Sequence, residues 1–231
     1  MARYAPLTSL LQDYRAEIGV SQNAAHNAAD TASQVLALRK TQERLWRAHD
    51  WPHLRVRRTQ PLQAGQRYYD TPDDMTIERL ETIEVRYGQE WVLLCNGISR
   101  EHYAAYDSDL DQRAWPAERW QVYEGEDFEV WPVPSDNADG SEGMLRLTGI
   151  RSLKPLVAPG DLADLDDDLI VKYAAAKYLA RKGARDAQLV LDEAKRIELD
   201  LTGNFSKVKD FRLFDSAPFK RTRRGPPRVH Y

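Results

Sequence analysis

The stretch Thr41–Asp70, TQERLWRAHDWPHLRVRRTQPLQAGQRYYD, holds the place where the chain changes its period. Around its start, Val35, Leu38, Gln42, Leu45 and His49 recur every three or four residues, and Leu36 and Trp46 widen the stripe. That spacing keeps these positions on one face of an α-helix. Pro52 ends the pattern, because its ring excludes the preceding residue from the helical region. Beyond it, Leu54 and Val56 alternate with arginines, the period of a half-buried strand. Pro61 cannot donate to a sheet ladder, so an edge strand is expected here. Gly65 then turns the chain, and Arg67–Asp70 reads as the returning partner strand.

Upstream of this stretch the chain is helical. Ser9 followed by Gln12 resembles a capping box, Leu10, Leu11, Tyr14 and Ile18 share a face, and Gly19 is the expected stop. A second helix begins near Asn27–Asp30, runs to Pro52 and is expected to be the longest in the chain. Downstream, short alternating runs are separated by turn residues. Thr71-Pro72-Asp73-Asp74 is a turn. Ile83, Val85 and Tyr87 alternate up to Gly88, and Trp91, Leu93 and Cys95 alternate after it. Ser99–Asp107 predicts a short helix carrying Tyr103 and Tyr106. Strands are expected over Arg119–Tyr123, Phe128–Val133 and Met144–Ile150. Helices then return. Asp164, Asp166, Asp167 and Asp168 precede Leu169, Ile170, Tyr173, Ala174 and Tyr178, with Gly183 beyond. Carboxylates in a first turn complement the helix dipole. A last helix spans about Asp186–Leu201 and stops at Gly203.

The expected fold class is therefore α+β. Helices from residues 1–52 and 161–203 form a bundle. Residues 53–160 form an inserted small antiparallel β sandwich or barrel, and residues 204–231 form an extended C-terminal arm. Trp46 and Trp51 are expected to pack the junction of helix and sheet.

Composition narrows the classes of function. Hydrophobic content of 42% with 30% charged residues suits a soluble globular protein. No apolar run approaches the roughly 20 residues of a membrane span, and the first residues lack the apolar core of a secretory signal. Cys95 is the only cysteine, so it forms no disulfide within the chain, and its apolar setting suggests an inert buried thiol. These features fit synthesis in a reducing cytoplasm.

The C-terminal stretch Asn204–Tyr231 stands apart. It holds eight Lys or Arg against two Asp, a net +6; since the whole chain is −3, residues 1–203 carry −9. It also holds Phe205, Phe211, Phe214 and Phe219, four of the five phenylalanines. A solvated linker is poor in aromatics. The pattern suggests an arm that orders on a partner, with Phe205, Phe211, Arg212, Phe214, Phe219, Arg221, Arg223 and Arg224 as its contact residues. Its 28 residues can extend roughly 90–100 Å. Burying four Phe side chains yields about 6–12 kcal/mol. Ordering 28 backbones costs about 1–2 kcal/mol each, so docking also needs paired backbone.

Motifs of chemistry are missing. No Gly-rich phosphate loop, GxSxG or HExxH is present. His49 and His53 have metal-like spacing, but Pro52 breaks the helix that would align them. The aspartates from Asp161 to Asp168 lack the alternating ligands and central glycine of a calcium loop, and read as a helix start. No metal, cofactor or catalytic residue is expected.

Thr41–Asp70, HYAAYDSD (His102–Asp109), RWQVYEGEDFEVWPVP (Arg119–Pro134) and LRLTGIRSLKPLVAPGDLADLDDDLIVKYAAAKYLARKG (Leu145–Gly183) together resemble head-to-tail adaptor proteins of tailed bacteriophages, the head-completion or connector proteins that include the tail tubular protein A group. The resemblance implies a structural, non-enzymatic virion protein with a helical bundle and an inserted β domain. It implies a homo-oligomeric ring, a dodecamer, that joins the portal protein to a tail, nozzle or tail-terminator protein. Genomic DNA would pass through the lumen, and the C-terminal segment would dock on the portal. The implied location is the head–tail junction of the virion, with no membrane contact.

Two rivals remain open at this stage. A nucleic-acid-binding module would use the basic arm and bind with strong salt dependence. A metal-dependent nuclease would use Asp166–Asp168. The acidic body and the phenylalanines of the arm favour a protein partner.

Overall fold

The structure is a computed structural model that describes residues 3–140 and 142–206. Two helices come first, α1 (Leu7–Glu17) and α2 (Thr31–Ala48). Ten short strands follow, interrupted by α3 (Arg100–Ala105). The chain then returns to α4 (Asp167–Lys182) and α5 (Ala187–Ser206). The class is α+β, as the change of period at Pro52 implies.

The strands are β1 (Arg55–Pro61), β2 (Tyr68–Asp70), β3 (Met75–Tyr87), β4 (Glu90–Leu93), β5 (Cys95–Asn96), β6 (Arg113–Ala114), β7 (Arg119–Val122), β8 (Asp127–Trp131), β9 (Val133–Pro134) and β10 (Met144–Arg151). One sheet has the order β1-β10-β3-β4 and is antiparallel throughout. A second has the order β2-β8-β7-β5, with β5 parallel to β7. A third is the parallel pair β6-β9. The sheets are thus mixed, not purely antiparallel. β1, which ends at Pro61, is an edge strand, as a residue without an N–H requires.

Hydrophobic burial divides into two clusters. The first gathers α1, α2, α4 and α5, with Trp51, Leu54, Ile150 and Leu156 where the helices meet the chain around the first sheet. α4 lies at its centre and packs on α1, α2 and α5. Its Leu169–Val171 and Tyr173–Ala176 are buried, and a helix apolar on most of its circumference must be enclosed. The second cluster joins Ile83, Val85, Leu145 and Leu147 of the first sheet to Tyr69, Trp120, Phe128 and Val130 of the second.

The junction of helix and sheet is built by the two tryptophans expected there. The Trp51 indole is buried and its Nε1 donates to the Leu45 carbonyl at 3.0 Å. The Trp46 Nε1 donates to the Arg151 carbonyl at 3.0 Å. Arg79 of β3 lies over the Trp46 ring at 4.9 Å and donates to the carbonyls of Trp46 (2.9 Å) and His49 (2.8 Å). A guanidinium here satisfies carbonyls that the end of α2 leaves free. At the facing point of β10 the register with β3 slips, and Gly149 sits in the slip. A Cβ there would lie 2.5 Å from the Arg79 carbonyl, so only glycine fits without backbone movement.

Several expectations need correction. α1 starts at Leu7, capped by Pro6, and Ser9 lies inside it. The returning strand Tyr68–Asp70 does not pair with β1; it pairs with β8 in the other sheet. On β4 the inward phase is Val92, followed by buried Leu94, so Trp91, Leu93 and Cys95 point the other way. A shift of one residue turns every side chain to the opposite face. Cys95 is accordingly exposed, not buried. Among the described residues the longest helix is α5, at 20 residues against 18 for α2, because it continues through Gly203. Gly19 and Gly183 do end helices; Gly183 is the left-handed C-cap of α4 at φ 69°.

Candidate assembly surfaces and their supports

The aspartate run is a helix start and a structural latch. Asp166 is the N-cap of α4, its Oδ1 accepting from the Leu169 N–H at 3.1 Å. Asp164 is buried and binds Arg151 at 2.5 Å and the Lys154 N–H at 2.7 Å. Asp161 accepts from the N–H groups of Val157 and Ala158 at 2.7 Å each, which hold its carboxyl below the usual range. The N-terminal segment pairs with this run through Arg3–Asp166 and Pro6–Leu162 bridges. Asp167 is 7% exposed and accepts from the Ala5 N–H at 3.4 Å. Burial, then the nearby Asp166, Asp168 and Asp13 carboxylates, push its pKa up to about 6 against that hydrogen bond. Burial also raises Asp166.

The two histidines serve separate contacts. His49 Nε2 lies 2.6 Å from Glu198 of α5, and His53 Nε2 lies 2.9 Å from the Asp164 carbonyl. Each ring packs edge-on against Trp51, at 5.6 and 6.0 Å. Burial lowers the His53 pKa. Glu198 also accepts from the Tyr173 hydroxyl. Burial alone would raise the Glu198 carboxyl, but Tyr173 and His49 hold it low. Tyr173 is pushed up to about 12 by burial and by Glu198. Among the described residues no group of three or more His, Cys, Asp or Glu is arranged to hold a metal.

HYAAYDSD is clamped to the second sheet by a charge that sequence reasoning missed. Glu129 of β8 is 1% exposed. Its Oε1 accepts from Arg67 Nε at 2.8 Å, and its Oε2 from the Tyr103 hydroxyl (2.8 Å) and Gln121 Nε2 (3.0 Å). Arg67 reaches on to Asp109 at 2.5 Å and lies over the rings of Tyr68 and Tyr103. Tyr103 is pushed up to about 12 by burial and then by Glu129. Trp131 Nε1 donates to the Tyr106 carbonyl at 3.0 Å, and the His102 ring packs edge-on against the same indole. A buried carboxylate persists only when paired and fully hydrogen-bonded. Both of its oxygens are engaged here, so α3 and its flanks are fixed on the sheet. Alternation on β8 places Glu129 on the face away from Phe128 and Val130, which in sequence reads as solvent-facing, so no local signal announces the clamp.

A basic cleft stands out on the acidic body. It lies between α2 and α4, with a volume of about 680 Å³, and Lys40, Lys177, Arg181 and Lys182 line it against one carboxylate, Asp30. Tyr14 and Tyr178 stand edge-to-face in its wall at 6.4 Å. Tyr14 is pushed up to about 12 by burial and then by Tyr178, with Arg181 opposing.

Of the residues expected to meet a partner, Phe205 falls within α5, whose last turn passes the expected Gly203 stop; its side chain is not among those described. Phe211, Arg212, Phe214, Phe219, Arg221, Arg223 and Arg224 lie outside the described residues. Among the described residues no helix is long and apolar enough to cross a membrane.

Residues 5–203 match the family model of the SU10 adaptor protein. The chain belongs to that family and is a head-to-tail adaptor protein of a bacteriophage, a structural component of the virion. No curated protein matches the chain.

Proposed function

We propose that this chain is a non-enzymatic subunit of the ring that joins the portal to the tail and lines the channel through which the genome passes. The family match over residues 5–203 carries this reading. In it the ring is a homododecamer. Residues 1–52 and 161–203 act as a helical bundle, residues 53–160 as an inserted β sandwich, and a tail, nozzle or tail-terminator protein binds below. The net charge of −9 on residues 1–203 supports passage of DNA, since an acidic wall repels phosphates and lets the genome slide. The chain is made in the host cytoplasm and ends in the virion at the head–tail junction.

The basic segment beyond α5 docks on the portal in this reading. A ring supplies many such segments at once, which raises their effective concentration without new contacts. Deleting residues 207–231 removes none of Ala187–Ser206 and is expected to give a folded protein that no longer co-sediments with portal rings. Co-sedimentation at full strength would overturn the docking role. Salt-sensitive DNA binding that the same deletion abolishes would instead favour a nucleic-acid-binding arm.

A further inference from the structure

A second, smaller cleft opens where α2 passes the start of β3 and the chain that follows β10. Its volume is about 260 Å³. Trp46, Leu153 and Leu156 give it an apolar floor, and Arg39, Arg47 and Lys154 stand around it. Its one carboxylate, Glu43, is already taken, by Lys40 Nζ at 2.8 Å and Arg39 Nε at 3.7 Å. Arg47 and Lys154 have no acidic partner among the described residues.

The walls are rigid. Trp46 is pinned by the Arg151 carbonyl and by Arg79. The Ser152 N–H donates to the Asp74 carbonyl at 2.8 Å, and the Lys154 N–H to Asp164 at 2.7 Å. Into this fixed frame faces Gln42, a residue that is 1% exposed and whose Oε1 has no hydrogen-bond partner among the described residues. The Thr76 hydroxyl on the opposite wall is likewise buried and unpartnered. Gln42 lies on the stripe that the helical period directs to the core, where an aliphatic residue would cost nothing. Orphaned buried polar groups are costly, and their concentration in one cleft marks a place where a ligand supplies the partners.

The chemistry selects the ligand. A primary amide offers an acceptor and a donor side by side, which matches the N–H and C=O of an extended peptide backbone. The apolar floor fits an aliphatic side chain, and Arg47 and Lys154 fit a carboxylate. A single-stranded nucleic acid could also stack on Trp46, but the aliphatic Leu153 and Leu156 beside it favour an aliphatic side chain, and a short DNA is therefore an arm of the test. We propose that this cleft is a docking site for an extended peptide segment of a partner protein, in which an acidic residue flanks an aliphatic one. The site goes beyond the adaptor reading and does not depend on it; under that reading the segment belongs to a neighbouring virion protein.

The test uses the full chain, labelled with nitrogen-15. The probe is an acetylated, amidated hexapeptide of alternating leucine and glutamate. Its lysine counterpart and a short single-stranded DNA serve as comparisons. The leucine–glutamate peptide is expected to shift the Trp46 indole and Gln42 amide signals saturably, with the lysine peptide weaker by about tenfold or more. Gln42→Met should weaken binding by about tenfold and raise the urea midpoint, since it removes an orphaned amide and keeps the side chain's length. The pair Arg47→Glu and Lys154→Glu should abolish the preference for glutamate and leave the urea midpoint in place. Absence of saturable shifts overturns the site. So does a Gln42→Met protein with a lowered midpoint, which would mean that the amide is satisfied in the free protein, or DNA that shifts the same signals as strongly as the peptide. Loss of portal binding in the separate co-sedimentation experiment would leave these outcomes unaffected.

Discussion

Replacing Asp167 with Asn should stabilise this protein at neutral pH and do nothing in acid. Asp167 is 7% exposed, in the first turn of α4, with Asp166, Asp168 and Asp13 near it. Its pKa is raised from 3.8 to about 6. A raised carboxyl pKa means that the fold prefers the protonated form. Below about pH 4 the group is protonated in folded and unfolded chains alike, and no penalty exists. Between about 4 and 6 the unfolded chain ionises first, so stability falls as pH rises, and above about 6 the penalty is complete. A shift of about two units corresponds to about 3 kcal/mol. Asparagine keeps an oxygen for the Ala5 N–H but loses the charge–dipole attraction of a first-turn carboxylate, about 0.3–1 kcal/mol. The net gain is about 2 kcal/mol, or roughly 4–8 °C in Tm. His53, whose pKa burial lowers, loses stability as pH falls, but it does so equally in both proteins and cancels from the difference. Urea unfolding of both proteins at pH 4 and pH 7.5 measures the effect. A difference that is equal at the two pH values, or a variant less stable at pH 7.5, would refute the reasoning.

Three further outcomes follow from the packing. Glu129→Leu should cost about 3–5 kcal/mol, because it leaves Arg67 and Tyr103 without their buried acceptor, and should expose the chain around α3 to protease; a loss under about 1 kcal/mol in urea unfolding would contradict the clamp. Gly149→Ala should cost about 1–3 kcal/mol, since its Cβ would lie 2.5 Å from the Arg79 carbonyl, and an unchanged Tm would show that β3 yields freely there. The exposed Cys95 should react with a thiol reagent in the folded protein at a rate close to that of a free thiol, whereas reaction only on unfolding would place it inside.

The local grammar of the chain reaches a long way. Pro52 separates a helical from a strand period, Pro61 marks an edge, and Gly183 ends α4; each acts through its own backbone, so each is readable from its neighbours alone. The aspartates before α4 announce a helix start for the same reason. Even the tryptophan pair at the junction follows from its position at a change of period.

What local pattern could not fix was choice of partner. Tyr68–Asp70 alternates equally well for pairing with β1 or with β8, and the pairing depends on which sheet can cover Tyr69. The phase of β4 is ambiguous in sequence because both alternating sets, Trp91, Leu93 and Cys95 or Val92 and Leu94, are apolar, and only the second cluster decides for the latter. Glu129 looked like one more surface carboxylate until Arg67, Tyr103 and Gln121 closed around it from three other segments. Gln42 fell on the correct stripe of α2, but its orphaned oxygen exists only because β3 and the chain after β10 wall it in. Backbone preferences and periodicity are properties of neighbours in sequence, and they supplied the elements. Burial, pairing and the penalties on buried polar groups are properties of neighbours in space, and they supplied the sheets, the clamp and the cleft.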